Sequence, residues 1–433
     1  DSYMKGKIAQ RHFYQQVPGA VSEAMDEYYN LTGRRYRMVD PYLMDDAEYC
    51  LVGMGTMMET ATTAADYMRA EMGIKVGVVH VTSFRPFPGP ELVEMLQNVR
   101  GVSVFERMDN PIAQSNPLTA ELKAAFADAL NGMDGYPKVD RIPRILSGSA
   151  GLGSRDVRPG DFIAATTNMA KERPLEYFAV GIEHDLSLKV DVDPDVRPDG
   201  SFSMRGHSVG GFGSVTTNKI IATVMGDPDL FGLFVQAYPK YGSEKKGLPT
   251  TYYLTVGQSH IRTHSELEHV DFVVLNDVNA FNLGNPLSGL QEGGLVFIQS
   301  NRPTPEQVWS DIPGYAQQII LEKKFRVTVL DTVEIARQEA SRPELVQRMQ
   351  GIVLLGIFLK VTPFQDRMEF SDEQVFGGVE DALRKYFGEK AGEKVVQENL
   401  RCVKRGFTEL MDLPAEVMVP TTASNSDGGP DNG

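Results

Sequence analysis

The chain has 433 residues, is 42% hydrophobic and carries a net charge of −15. That length and apolar share allow two or three cores, while acidic residues spread without long blocks exclude non-specific nucleic-acid binding from the expected roles. Cys50 and Cys402 have no nearby cysteine companion, so no four-cysteine zinc site or iron–sulfur cluster is expected from this chain, and a reducing cytoplasm fits such usage.

Taken in order, residues 1–48 read as a polar, irregular N-terminal arm with helical sequence near Val21–Asn30. The opening Asp-Ser-Tyr-Met-Lys-Gly-Lys lacks the apolar core of a signal peptide and reads as a cut or processed end. From residue 49 to about 150, the runs Cys50–Met54, Val76–Val81 and Val102–Phe105 alternate with helical patterns, which predicts a parallel sheet with helices on its faces. Residues 151–200 are rich in Gly, Pro and Asp and are expected to be a linker, with one helix near Pro159–Lys171. A second α/β domain is expected over 201–420. Its elements are an extended Ser201–Met204, a helix from Val215, strands near Leu233, Tyr252, Phe272, Leu295 and Phe325, and helices at Gln350–Val361, Ser371–Phe387 and Gly392–Leu410. The apolar run Gly351–Val361 carries Lys360 and is too short to span a bilayer, so no membrane anchor is expected. Residues 421–433 are small and polar and are expected to be a disordered tail.

The stretch Arg205-Gly-His-Ser-Val-Gly-Gly-Phe-Gly-Ser-Val-Thr-Thr-Asn-Lys219 lies between an extended segment and a helix. Its glycines allow close backbone approach to an anion, and the helix start offers unpaired N–H groups, so it reads as a phosphate cradle or as a plain strand-to-helix turn. The dinucleotide register G-x-G-x-x-G is not met. Gly206-His-Ser-Val-Gly210 matches the nucleophile-elbow string at Ser208, although the predicted helix begins well after that serine. The loop Ala237–Pro249 places Lys240, Lys245 and Lys246 after a predicted strand, either to meet phosphates or to be solvated. His260 and His264 have the i, i+4 spacing of metal ligands on a helix, but the H-E-x-x-H string is absent and a solvated polar segment is preferred. Asn276–Asn285, dense in side-chain amides, reads as a turn or as a reader of adenine or ribose. In the first domain Gly53-Met-Gly-Thr56 ends a strand where it could cap an anion. Arg85, beside prolines, suits an ion pair or an interface, and Glu106-Arg-Met-Asp109 reads as a surface salt-bridge network.

The order of these pieces resembles the pyruvate:ferredoxin oxidoreductases and their relatives acting on other 2-oxoacids. Met54-Gly55 and Arg85-Pro86-Phe87 look like signatures of that family's transketolase-C-terminal-like domain. Pro143–Arg155 and Phe178–Asp185 resemble its linker. Gly213, Val215, Asn218 and Lys219, followed by Ser243, Lys245, Lys246 and Gly247, are similar to the coenzyme A-binding turn and loop of its gamma-type domain, and Ser259-His-Ile-Arg262 looks like its Ser-His-Leu-Arg. The implied fold is α/β: two parallel-sheet domains, transketolase-C-terminal-like and then Rossmann-like, with a helical C-terminal region.

The resemblance implies that the chain is part of a 2-oxoacid:ferredoxin oxidoreductase, with pyruvate as substrate, converting a 2-oxoacid to acyl-coenzyme A and carbon dioxide or the reverse. Lys219, Lys245 and Lys246 would then meet coenzyme A phosphates, and Gly211, Gly213, Ser214 and Val215, with Asn218 and Ser243, would complete the site. Thiamine diphosphate, magnesium and 4Fe-4S clusters belong to partner domains in this picture. The partners are the thiamine-binding and iron–sulfur subunits, and ferredoxin receives electrons through them. The competing readings are a non-catalytic scaffold in a complex acting on another 2-oxoacid such as 2-oxoglutarate, and a stand-alone dehydrogenase or Ser208 hydrolase.

Overall fold

Short β-branched runs, each followed by helix-forming sequence, can bury both faces only when helices cover both sides of a parallel sheet. The computed structural model describes residues 1–209, 214–240, 249–387 and 392–420. These fall into two units, one made of Asp1–Val196 with Arg262–Glu266, the other of Arg197–Ile261 with Leu267–Gly433.

In the first unit the strands are β1 (Val39–Tyr42), β2 (Tyr49–Gly53), β3 (Val76–Val81), β4 (Gly101–Glu106), β5 (Arg144–Ser149) and β6 (Tyr177–Ala179), in the order β1-β3-β2-β4-β5-β6. All pairs are parallel except β1 with β3. The helices are α1 (Ser2–Tyr14), α2 (Val17–Thr32), α3 (Met57–Met72), α4 (Gly89–Leu96), α5 (Pro117–Leu130) and α6 (Pro159–Ala170). Alternation along β2 sends Leu51 to a core shared with α3 and α6, and Cys50 and Val52 to a core shared with α4 and α5.

Two expectations change here. Residues 1–48 are largely regular: besides the expected helical sequence, which is α2, they form a further helix, α1, and an edge strand, β1. The sequence hid α1 because none of its residues is buried, so no apolar stripe marks it. Residues 151–200 also do more than link. They contribute α6 and β6, and Phe162 and Phe178 pack on Phe105 with ring centroids 4.8 and 5.7 Å away.

The second unit holds β7 (Phe202–Val209), α7 (Ser214–Gly226), β8 (Phe234–Lys240), β9 (Pro249–Gly257), β10 (Val270–Leu275) and β11 (Leu290–Gln299). It continues with α8 (Pro305–Ser310), α9 (Gly314–Glu322), β12 (Arg326–Leu330), α10 (Thr332–Glu339), α11 (Pro343–Val361), α12 (Phe364–Arg367), α13 (Asp372–Phe387), α14 (Glu393–Thr408) and β13 (Met411–Asp412). The sheet order is β13-β12-β11-β10-β7-β9-β8, with β12, β11, β10 and β7 parallel and the β8–β9 hairpin and β13 antiparallel at the two ends. The expected fold class, α/β with two mainly parallel sheets and C-terminal helices, is the one observed. One core joins the sheet to α7, α11, α13 and α14. Where α11 crosses α14, Gly356 and Gly406 let the two backbones approach so closely that an added Cβ would lie 2.0 Å from the Val403 carbonyl oxygen and 2.2 Å from that of Val353.

Candidate functional site

In open α/β sheets ligands gather at the carboxyl ends of parallel strands, where loops diverge. In the second unit a cavity of about 460 Å³ opens there. Its wall comprises His207 and Ser208 on β7, Thr250 and Thr251 on β9, and the segment after β10 that carries Asp277, Asn279, Leu283, Asn285 and Pro286. Strand pairing sets this arrangement: His207 is in register with Leu275 of β10 and with Thr251 of β9, and its carbonyl accepts the N–H of Asn276 at 3.0 Å.

The wall is fixed from beneath by Arg205, two residues back on the same face of β7. Its buried guanidinium donates to the carbonyls of Leu267 at 3.3 Å, Pro286 at 3.1 Å and Ser288. Pro286 also accepts from the His207 ring. Nε2 of His207 is buried and has no hydrogen-bond partner, so the donating nitrogen is Nδ1 and the imidazole is neutral. Burial, reinforced by the nearby Arg205 charge, pushes His207 down to about 3. Behind the wall, Gly206 makes room for Tyr252: a Cβ there would lie 1.9 Å from the ring. The buried Tyr252 hydroxyl is pushed up by desolvation and accepts from Asn276 Nδ2 at 2.9 Å.

Asn218, in the first turns of α7, is buried; its Nδ2 donates to the Tyr253 carbonyl at 2.8 Å and its Oδ1 has no partner. Lys219 is exposed, and Ser214 and Val215 begin α7. Gly211, Gly213, Ser243, Lys245 and Lys246 lie outside the described residues. Ser208 is buried inside β7, paired with Thr250, so it does not occupy the sharp strand-to-helix turn that a nucleophile elbow requires. Residues 260–264 are not helical. The His260 ring sits edge-on to Phe234, whereas His264 bonds Glu59 within the first unit, so the two share no face. Among the described residues no cluster of three or more His, Cys, Asp or Glu side chains is placed to hold a metal. Asn276–Asn285 makes the turn bonds of its first reading. Asp277 accepts from Asn279 N at 2.9 Å and Asn285 from Leu287 N at 3.1 Å as turn bonds, and the same segment forms one wall of the cavity.

In the first unit the Gly55 N–H is already committed to His80 Nε2 at 3.2 Å. Glu106 is no surface salt-bridge partner: its carboxylate accepts the N–H groups of Leu118 and Thr119 at 2.6 and 3.1 Å, capping α5. Arg85 pairs with Glu121 at 2.5 Å on the surface.

Sequence reading named the glycine turn but not His207. The available signal was positional: a polar residue at the carboxyl end of one strand, His207, adjoins another just past the end of its neighbour, Asp277.

The second unit is an open α/β sheet of the doubly wound class, with its cavity at the strand ends where ligands gather in such folds. Residues 203–409 match the family described as pyruvate ferredoxin/flavodoxin oxidoreductase, and residues 47–161 match pyruvate:ferredoxin oxidoreductase core domain II. The chain belongs to the pyruvate:ferredoxin oxidoreductase family. It is 26% identical over 419 residues to the pyruvate:ferredoxin oxidoreductase of Moorella thermoacetica, covering 95% of this chain and 34% of that protein. It is 27% identical over 419 residues to the pyruvate-flavodoxin oxidoreductase of Trichormus variabilis, covering 95% and 33%. The chain thus spans about a third of the length of the curated relatives it matches. Among solved structures it is similar to a pyruvate oxidoreductase subunit of Thermotoga maritima, with a TM-score of 0.38, 22% identity, and coverage of 49% of this chain and 99% of the other. No described helix is long and apolar enough to cross a membrane.

Proposed function

We propose that this chain is the coenzyme A-holding portion of a 2-oxoacid:ferredoxin oxidoreductase acting on pyruvate, and that its role is positioning. The observation that carries this reading is the strand-end cavity of the second unit. Its wall strand β7 runs on, within five residues, to α7, and among the described residues two buried polar atoms, His207 Nε2 and Asn218 Oδ1, have no hydrogen-bond partner. Buried acceptors of this kind cost free energy unless a ligand donor meets them. A cavity at the strand ends beside a strand that leads to a helix start suits a phosphate-bearing ligand such as coenzyme A.

In this proposal Lys219, Lys245 and Lys246 supply positive charge to the phosphates, and the backbone of residues 211–214 with Ser243 supplies donors at the helix start. Asn218, tied by its amide to β9, carries its Oδ1 at the same helix start. Holding the coenzyme in one orientation lowers the entropic cost of acyl transfer without any bond being made by this chain. Thiamine diphosphate with magnesium supplies decarboxylation of the 2-oxoacid, and 4Fe-4S clusters carry its electrons to ferredoxin. The cysteines here do not suit a cluster: Cys50 and Cys402 are both buried, and desolvation raises both thiols above their ordinary range. Those groups are assigned to the thiamine-binding and iron–sulfur partners.

Isothermal titration of coenzyme A, with desulfo-coenzyme A as the non-reactive control, tests the reading. Lys219→Ala and the Lys245→Ala/Lys246→Ala pair should weaken binding and flatten its salt dependence. Undiminished affinity in both would leave the chain as scaffold. Ferredoxin reduction with pyruvate, compared with 2-oxoglutarate, tests the substrate.

A further inference from the structure

Neither α1 nor α2 contains a buried residue. Among the described residues, nine of the 26 exposed large apolar side chains fall within the first 36 positions, so apolar exposure is concentrated there. α2 is held to the first unit by Val21 and Met25, which pack against the core shared with α4 and α5. No residue of α1 joins any of the cores. A helix of 13 residues that buries nothing is marginal in water by itself, so α1 calls for a covering surface. Its pattern states which kind. At about 100° per residue, Met4 and Ile8 lie on one side, Tyr3 and Tyr14 on a second and Phe13 on a third, all of them exposed. Apolar side chains thus span about 220° of the circumference. A flat lipid surface, or one helix of a second copy, covers a single stripe; only a cleft in a larger body covers three sides.

Charge narrows the choice further. In a chain of net charge −15, α1 carries Lys5, Lys7 and Arg11 and no acidic residue. Lys7 and Arg11 fall within the apolar span, where enclosed cations need carboxylates facing them. Lys5 pairs with Asp1 at 2.8 Å, but both side chains are exposed, and such a pair yields readily to a better-placed carboxylate. We infer that α1 inserts into an acidic, apolar-lined cleft on the remainder of the oxidoreductase, the two-thirds or so that relatives about three times as long carry beyond the part matched here. This goes beyond the coenzyme A reading and stands whether or not the chain holds coenzyme A. The rival occupant is α2 of a second copy, which carries Glu23, Asp26 and Glu27 and no basic residue, yet it would leave two sides of α1 in water.

The assembled oxidoreductase supplies the test. Hydrogen exchange of the α1 amides, followed by mass spectrometry, should be about 100-fold or more slower than in an unstructured peptide of the same sequence. A carbodiimide, which joins an amine to a carboxylate in contact with it, should couple Lys5 or Lys7 to acidic peptides from outside these 433 residues. Ile8→Glu combined with Phe13→Glu should return α1 to fast exchange while α3 exchanges as in wild type, which separates lost docking from unfolding. The two wild-type measurements stand even where that variant fails to assemble. Fast α1 exchange in the wild-type complex overturns the inference. Coupling of Lys5 or Lys7 to Glu23, Asp26 or Glu27 overturns it in favour of a second copy, because Gln15 and Gln16 keep helical angles and α1 does not fold back on its own α2. Protection that appears only with added phosphatidylserine vesicles overturns it in favour of a lipid surface.

Discussion

Replacing Gly356 by alanine offers a sharp test of how the helical half of the second unit is held. The new Cβ would stand 2.0 Å from the Val403 carbonyl oxygen and 2.9 Å from the Phe407 nitrogen, both backbone atoms of α14 that cannot rotate aside. Restoring even a 3.0 Å contact means moving one helix by about 1 Å. That movement disturbs Val353, Phe358, Val403 and Phe407, all in the core. Overpacking of this kind costs about 3 kcal/mol or more at the upper end of its range, against which alanine returns about 1 kcal/mol of helix propensity. The net expectation is a loss of about 2 kcal/mol, which lowers the urea midpoint by about 1 M for a slope near 2 kcal/mol per M. Gly377 provides the control. It is exposed on α13 with no atom near its would-be Cβ, so Gly377→Ala should raise stability by about 0.5 kcal/mol. Urea unfolding followed by far-ultraviolet circular dichroism reads both. If Gly356→Ala unfolds at or above the wild-type midpoint, the close crossing of α11 and α14 is wrong.

Asp161 is fully buried, one carboxylate oxygen has no partner, and burial pushes it up to about 6. A raised folded-state value favours the protonated acid, so stability is fully present below pH 4 and is lost as pH rises to 6. The loss is roughly 3 kcal/mol, and Asp161→Asn should cancel this difference when denaturation at pH 4 and pH 7 is compared. Arg205→Met strips the donors from the Leu267, Pro286 and Ser288 carbonyls, and should cost about 2–4 kcal/mol together with coenzyme A affinity; full affinity by calorimetry would show that the clamp does not shape the cavity. Gly206→Ala drives a methyl into the Tyr252 ring and should break the Tyr252–Asn276 bond, costing about 2 kcal/mol or more in thermal unfolding.

The strands of both sheets were legible because Val76–Val81, Phe272 and Phe325 sit in apolar runs bounded by turn residues, and burial on both faces demands such runs. The first N-terminal helix, α1, was not, because a helix that buries nothing leaves no periodic trace. The helix α6 was read near Pro159–Lys171, but its place in the core was not, because the decisive contacts, Phe162 and Phe178 on Phe105, join residues far apart in sequence. The stretch after β7 stood out by its glycines, yet the cavity wall depends on facts of pairing: His207 beside Leu275, Pro286 bonded to the His207 ring, and Arg205 locking them. No local pattern encodes an unpartnered Nε2.

The five residues Arg262–Glu266 belong to the first unit although more than sixty residues of the second precede them. Arg262 bonds Tyr42 and Thr62, each at 3.0 Å, and pairs with Asp66, while the His264 N–H reaches Thr60 at 2.9 Å. During synthesis the first sheet is complete by residue 196, yet these contacts wait for roughly 70 further residues, about 4–14 s at ordinary elongation rates. An expression fragment cut at Val196 would carry the α3 surface without that clasp. Chain breaks chosen from sequence order alone would therefore sever a unit that folding assembles from two distant stretches.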